Sequence, residues 1–189
     1  MRWCPDVQCA RPTRLCLAIG PPRCYDLDGV DFALVSVGMG EFRTVRSEVY
    51  EGHGIRFTYP ADSQIEVDGD SERSTVDVRH SDGLAFALVR TDLSRPDPDL
   101  MVEAAMVALR EDYPDLSESP ANEFLAGNDA LGSDVEFFSL DMVNTTSIRC
   151  FRTPRRTVFF MGQWSDLEGD DGAGFIESLL ESLEELDDE

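Results

Sequence analysis

Residues 55 to 59 read Ile-Arg-Phe-Thr-Tyr, apolar and polar side chains in strict alternation, and Pro60 ends the run. Successive side chains of a strand point to opposite faces, so this period commits the segment to a half-buried β-strand. Ile65 and Val67 form a second short strand closed by Asp68-Gly69-Asp70, and Thr75 to His80 alternates again through Val76 and Val78. Ser81-Asp82-Gly83 is a hairpin turn signal. It leads into Leu84 to Thr91, whose run Leu-Ala-Phe-Ala-Leu-Val is apolar at consecutive positions. Such a strand is expected to be central and covered on both sides.

The period then changes. Asp97-Pro98-Asp99 opens a helix: Asp97 caps free N–H groups, Pro98 suits the first helical position, and Asp99 faces the positive end of the helix dipole. Leu100, Met101, Ala104, Ala105, Ala108 and Leu109 form its apolar stripe, and Pro114 stops it. After a segment that reads as a polar linker, strands are expected over about 130 to 141, 146 to 153 and 156 to 164, with turns at Asn144 and Pro154. A last helix is expected over about 172 to 186, striped by Phe175, Ile176, Leu179, Leu180, Leu183 and Leu186. Four strands, a helix, three strands and a helix argue for an α+β domain. Its core would be an antiparallel sheet of about six to seven strands covered by helices on both faces.

Charge narrows the function classes. The chain of 189 residues has 38 acidic and 16 basic residues, a net of −22, and every base is Arg. A field that negative repels phosphate backbones and anionic lipid, so nucleic-acid and membrane-surface roles are disfavoured. Acidic excess without Lys suits a chain kept soluble in concentrated salt; Arg-favouring codons give the same composition. No apolar run approaches the roughly 18 residues of a membrane-spanning helix. Cys4, Cys9, Cys16 and Cys24 crowd the start, with Cys150 alone in the body. Their C-x4-C-x6-C-x7-C spacing lacks the C-x2-C pairs of zinc ribbons. The body, without a disulfide framework, fits a reducing, cytoplasmic setting. Residues 1 to 24 carry a net +3, leaving −25 for the remainder. The division suggests an N-terminal extension over 1 to 40, poorly ordered or from an over-called start, before a single domain over 41 to 189.

The segment Gly54-Ile55-Arg56-Phe57-Thr58-Tyr59-Pro60, followed by Ile65-Glu66-Val67, resembles the opening of PsbP-like domains. That superfamily includes the photosystem PsbP subunit, the bacterial DcrB-type proteins and the yeast Ran-binding Mog protein. The mid-chain helix, the three-strand return and the closing helix with Ile176-Glu177-Ser178-Leu179-Leu180-Glu181-Ser182-Leu183 are similar in order, so the resemblance spans about residues 42 to 187. Ser63 stands where members often carry a Trp. The resemblance implies an α/β/α sandwich that serves as a binding or assembly module rather than an enzyme. It transfers no catalytic residues.

Few residues suggest chemistry. A phosphate-binding P-loop is impossible without Lys, and no G-x-G-x-x-G occurs. Asp166, Glu168, Asp170 and Asp171 crowd one loop, out of register with an EF-hand, and read as a solvated acidic turn. Asp134, Glu136 and Asp141 offer carboxylates on a strand, which chance supplies in so acidic a chain. No metal or cofactor site is expected. Cys150 lies between Arg149 and Phe151, a small core residue or, with a lowered pKa, a nucleophile. Arg149, Gln163, Trp164 and Asp166 are the candidate partner-binding residues. Arg149, Arg152, Arg155 and Arg156 are the one basic concentration of the acidic body, and Trp and Arg anchor many interfaces. The competing reading has Trp164 capping the core and the Arg residues pairing with surplus acids. The expected function is a non-catalytic protein-binding or assembly module, in a narrower version a chaperone-like adaptor. The alternative is a small hydrolase-type enzyme using the 166–171 loop or Cys150. If the charge reflects salt adaptation, the thermal unfolding midpoint will rise between low and molar KCl as the screening length falls from about 30 to about 3 Å. A flat response rules that adaptation out.

Overall fold

The structure is a computed structural model that describes residues 15–17, 23–25, 31–37, 41–81, 83–167 and 170–186, with side chains over 46–81, 83–167 and 171–186. The chain divides into two compact units, Met1–Ser47 and Glu48–Glu189. In the first, β1 (Leu15–Leu17), β2 (Arg23–Tyr25), β3 (Asp31–Val37) and β4 (Glu41–Val45) pair antiparallel in chain order. Much of the segment expected to be an extension, 1 to 40, lies outside the described residues.

The second unit continues with β5 (Ser47–Gly52), β6 (Ile55–Pro60), β7 (Gln64–Gly69), β8 (Arg73–Arg79), β9 (Phe86–Asp92) and α1 (Pro98–Asp112). Then come β10 (Ser117–Leu125), β11 (Asn128–Ser139), β12 (Met142–Arg152), β13 (Thr157–Ser165), α2 (Asp170–Glu181) and β14 (Glu184–Glu185). A seven-stranded antiparallel sheet runs β10-β11-β12-β13-β9-β8-β7. The architecture is α+β, as the periodicities require. Strand β9 lies inside the sheet between β13 and β8, the place expected of a segment apolar on both sides.

Four elements differ from expectation, three of them for a local reason. Strand β6 leaves the main sheet and pairs with β5 and β14 in a sheet of three. The polar linker is strand β10; an edge strand tolerates the exposed side chains and Pro120 that an inner strand does not. The turn expected at Asn144 falls at Leu140-Asp141, because the Asn144 amide is buried and donates to the carbonyls of Ser139 and Met142. Helix α2 ends at Glu181: Ser182 Oγ donates back to the Ser178 carbonyl at 2.7 Å and accepts the Thr58 N–H of β6 at 3.0 Å. The start of α1 is as expected, with Asp97 Oδ1 accepting the Asp99 N–H at 3.1 Å and Pro98 in the first turn.

Two apolar clusters form the core. One joins Ile55 and Phe57 of β6 and Val76 and Val78 of β8 to Phe175, Ile176 and Leu179 of α2. The other joins Val135, Phe137, Ile148 and Cys150 to Met106, with Met101, Ala105 and Leu109 of α1 packed against it. Alternate residues of β9 and β13 divide between them: Ala87, Val89, Val158 and Phe160 belong to the first, Phe159 to the second, and Leu88 packs on the second. Gly162 in β13 lets α2 sit close, since a methyl there would collide with Ile176 Cγ2 and lie 3.0 Å from its Cδ1. Gly162→Ala is therefore expected to cost about 1–3 kcal/mol through overpacking. The measurement is the urea midpoint at unchanged m-value; an unchanged midpoint contradicts this seating of α2.

Candidate functional site

The four residues singled out by sequence come from β12, β13 and the turn after it, but they do not converge. Register pairs Thr145 with Trp164, Thr146 with Gln163 and Arg149 with Phe160. Side chains alternate, so Arg149 and Trp164 share one face of the sheet and Gln163 occupies the other. Arg149 stands four residues from Thr145 along β12, about 13 Å away.

Arg149 is 8% exposed and fully engaged. Its Nε donates to Glu123 Oε1 of β10, Nη1 donates to Asp134 Oδ1 of β11 at 2.8 Å, and Nη1 also reaches the Ile148 carbonyl at 2.9 Å. Burial opposes its charge, but Asp134 and Glu123 outweigh that and raise the guanidinium pKa. Its work is to tie three strands together. The other arginines disperse to separate elements. Arg152 approaches Asp97 at 3.5 Å and donates to the Pro96 carbonyl at 3.3 Å. Arg155 reaches the Leu186 carbonyl at 3.4 Å, and Arg156 Nη1 donates to the His53 carbonyl at 2.7 Å while its Nε faces Glu185 at 3.3 Å. Basic concentration in sequence is therefore cross-bracing in space.

Trp164 is half-buried against the cluster under α2. Gln163 Oε1 accepts from Thr146 Oγ1 at 3.3 Å. Asp166 closes the end of the sheet: its N–H donates to the Val143 carbonyl at 2.9 Å and its Oδ1 accepts the Val143 N–H at 3.2 Å. Of the acidic loop, residues 168 and 169 and the Asp170 side chain lie outside the described residues. Asp134 is taken by Arg149 and by Ser147 Oγ, which donates to it at 2.9 Å. Cys150 is fully buried. Burial, the largest influence, pushes its thiol up to about 12, so the nucleophile reading of Cys150 is corrected: the sulfur is a core atom.

Sequence reading missed an exposed apolar surface at this end of the sheet. Phe138 pairs across from Val143. Leu140 occupies the turn between their strands, and Leu167 follows Asp166. Phe138 is 68%, Leu140 85% and Leu167 70% exposed, with Val143 at 42%. Exposed carboxylates of Glu136, Asp141 and Asp166 surround them. Leu140 and Asp141 both have positive φ, +53° and +63°, the pair of left-handed residues that a tight hairpin turn needs. The signal was present in Phe137-Phe138, which puts one aromatic on each face of a strand, so that one is buried and the other is not.

No family profile matches the chain, and no curated protein matches its sequence. Solved structures do match. The solution structure of cyanobacterial PsbP from Synechocystis sp. PCC 6803 superposes with a TM-score of 0.53 at 12% identity, over 80% of this chain and 97% of that one. The fold is PsbP-like. A protein from Bacteroides thetaiotaomicron VPI-5482 gives a TM-score of 0.50 at 12% identity, over 75% of this chain and 48% of that one. LpqN of Mycobacterium tuberculosis, involved in cell envelope biogenesis, gives 0.45 at 14% identity, over 77% of this chain and 93% of that one. Identities this low speak for the PsbP-like fold alone. Among the described residues no helix is long and apolar enough to cross a membrane.

The Cys150 assignment has a direct test. At pH 8 a thiol with a pKa near 12 is about one part in ten thousand thiolate. Iodoacetamide is therefore expected to spare the Cys150 peptide in the folded chain and label it in denaturant, read by mass spectrometry. Rapid labelling of the folded chain overturns the core assignment.

Proposed function

We propose that this protein is a non-catalytic binding module that docks a basic, apolar segment of a partner protein. The docking surface is the end of the sheet around Phe138, Leu140, Val143 and Leu167, bordered by Trp164 and Asp166. The observation that carries the reading is Leu140. A left-handed conformation costs a non-glycine residue on the order of 1–2 kcal/mol, and Asn or Gly would relieve it. Here the position holds a leucine that is 85% exposed. Strain and exposed apolar surface at one residue serve stability in neither respect, which supports a role in contact. The surrounding carboxylates favour a partner bearing Lys or Arg.

The frame that presents this surface is read as an α/β/α sandwich, with α1 and α2 on opposite faces of the main sheet. The division of alternate β9 and β13 side chains between two clusters supports that layering. A chaperone-like adaptor holding such a segment is the narrower form of the same function, and a cytoplasmic setting remains compatible with it. Arg149 contributes through the strands it ties together, Gln163 from the other face through β12–β13 pairing.

A panel of short peptides that combine Arg or Lys with Leu, Phe or Trp, set against acidic peptides of matched hydropathy, tests the surface by fluorescence anisotropy. The expected result is saturable binding of basic-apolar peptides only. Phe138→Ser or Leu140→Asn should weaken it about tenfold, the loss of one anchor worth about 1.4 kcal/mol. Leu140→Asn should match or exceed the parent in thermal stability. Binding that ignores both substitutions, or no peptide binding, overturns the proposal.

A further inference from the structure

A second candidate site lies away from the hairpin tip, and its chemistry is opposite in sign. Helix α1 borders an open groove of about 500 Å³ over strands β8, β9 and β13. Leu88, Phe159 and Met161 line its strand side, and Leu100, Met101 and Ala105 line its helix side. The volume falls in the range of small-molecule sites, roughly 300–1,000 Å³. Leu100 is 70% exposed on the groove's helical wall.

Two guanidinium groups interrupt this apolar lining. Register places Arg90 of β9 between Thr75 of β8 and Phe159 of β13, and Arg73 opposite Asp92. Arg73 Nε donates to Asp92 Oδ2 at 2.8 Å, and Arg90 Nη2 lies 3.7 Å from the same oxygen. The other oxygen of Asp92 accepts both the N–H of Ser94 at 2.9 Å and its Oγ at 2.5 Å. Burial works against the carboxylate, but those bonds and Arg73 hold its pKa below the ordinary value. Asp92 is thus shared, close to Arg73 and distant from Arg90, while Asp70 also faces Arg73; Arg90 is the less tightly paired of the two cations beside the apolar groove. Among the described residues, Arg90 Nε is buried without a hydrogen-bond partner. The side chain as a whole is 37% exposed and lines the groove.

We propose that the groove binds an aliphatic monocarboxylate, its head group accepting from Arg90 beside Arg73 and its chain lying along Leu88, Met101, Phe159 and Met161. Arg90 holds Asp92 only at 3.7 Å, and a planar carboxylate matches the guanidinium fork. The apolar walls take a chain, not a second charge.

The test is calorimetric titration of the full chain with decanoate below its micelle concentration, beside decan-1-ol, decyltrimethylammonium and acetate. Decanoate is expected to bind saturably and raise the melting temperature by mass action, and the three controls to bind at least tenfold more weakly. Arg90→Gln should weaken decanoate at least tenfold. Leu100→Asp, on an exposed position where folding is not at stake, should do the same by placing a like charge at the rim. Phe138→Ser should leave decanoate binding unchanged, which separates this site from the hairpin tip. No saturable heat, equal binding of the alcohol, the ammonium or acetate, or full affinity in Leu100→Asp overturns the proposal.

Discussion

Strands β9 and β13 carry apolar side chains on both of their sides, and water must be kept from both at once. Val89 and Phe160 are buried with the α2 cluster, while Phe159 is buried with the α1 cluster and Leu88 packs on it. Burying a side chain of this size contributes about 1.5–3 kcal/mol, so neither side can be left open without losing a large part of a marginal stability. The remaining elements follow from that requirement. Helix α2 can approach because Gly162 has no side chain, and Ser182 stops the helix where β6 begins to cover it. Helix α1 supplies Met106 to the second cluster, and Leu88 and Arg90 line the groove that the helix borders.

Legibility in the sequence followed the strength of the period. The apolar-on-both-sides strand, the Asp97-Pro98 helix start and the antiparallel return of three strands were readable, because each follows from local sterics or from burial. Strand β10 was not. Its residues Ser117 to Leu125 obey no burial pattern, since an edge strand owes its place to the backbone ladder with β11 rather than to its side chains. The Leu140-Asp141 turn was hidden for another reason: Asp141 suits a tight turn, but Leu140 at the first left-handed position does not. The candidate site was legible in part. Trp164 and Asp166 do stand at a sheet end next to exposed apolar surface. The sequence clustering of arginines was misleading, because neighbours along a strand and around a turn point to different elements.

Charge organises this molecule through pairing, not through net field alone. A guanidinium offers donors in a fixed planar fork, so one Arg can engage two carboxylates and a carbonyl together, which an ammonium on a flexible stem does less well. Arg149 binds Glu123, Asp134 and the Ile148 carbonyl. Arg156 binds Glu185 and the His53 carbonyl, joining the β12–β13 turn to the strand after α2 and to the turn before β6. In a chain with more than two acids for each base, such braces also lower the self-repulsion of the surface they cross. Arg90 departs from this pattern, for its nearest carboxylate is already bonded to Arg73 and Ser94.

The two surfaces left unused by these braces carry opposite chemistry on one sheet. At the hairpin tip, leucine and phenylalanine stand among carboxylates, and the backbone of Leu140 is held in a conformation that other residues adopt more easily. Beside α1, an apolar groove meets the loosely paired guanidinium of Arg90. A protein optimised for stability alone would place Asn or Gly at the turn and a carboxylate or an apolar residue at position 90. Each site thus concentrates what the rest of the molecule avoids, exposed apolar surface in one case and an unmatched buried donor in the other. Since the core gains its stability from clusters that involve neither Leu140 nor Arg90, both positions are free to change without disturbing the fold. That independence is what makes their present residues informative about contact rather than about folding.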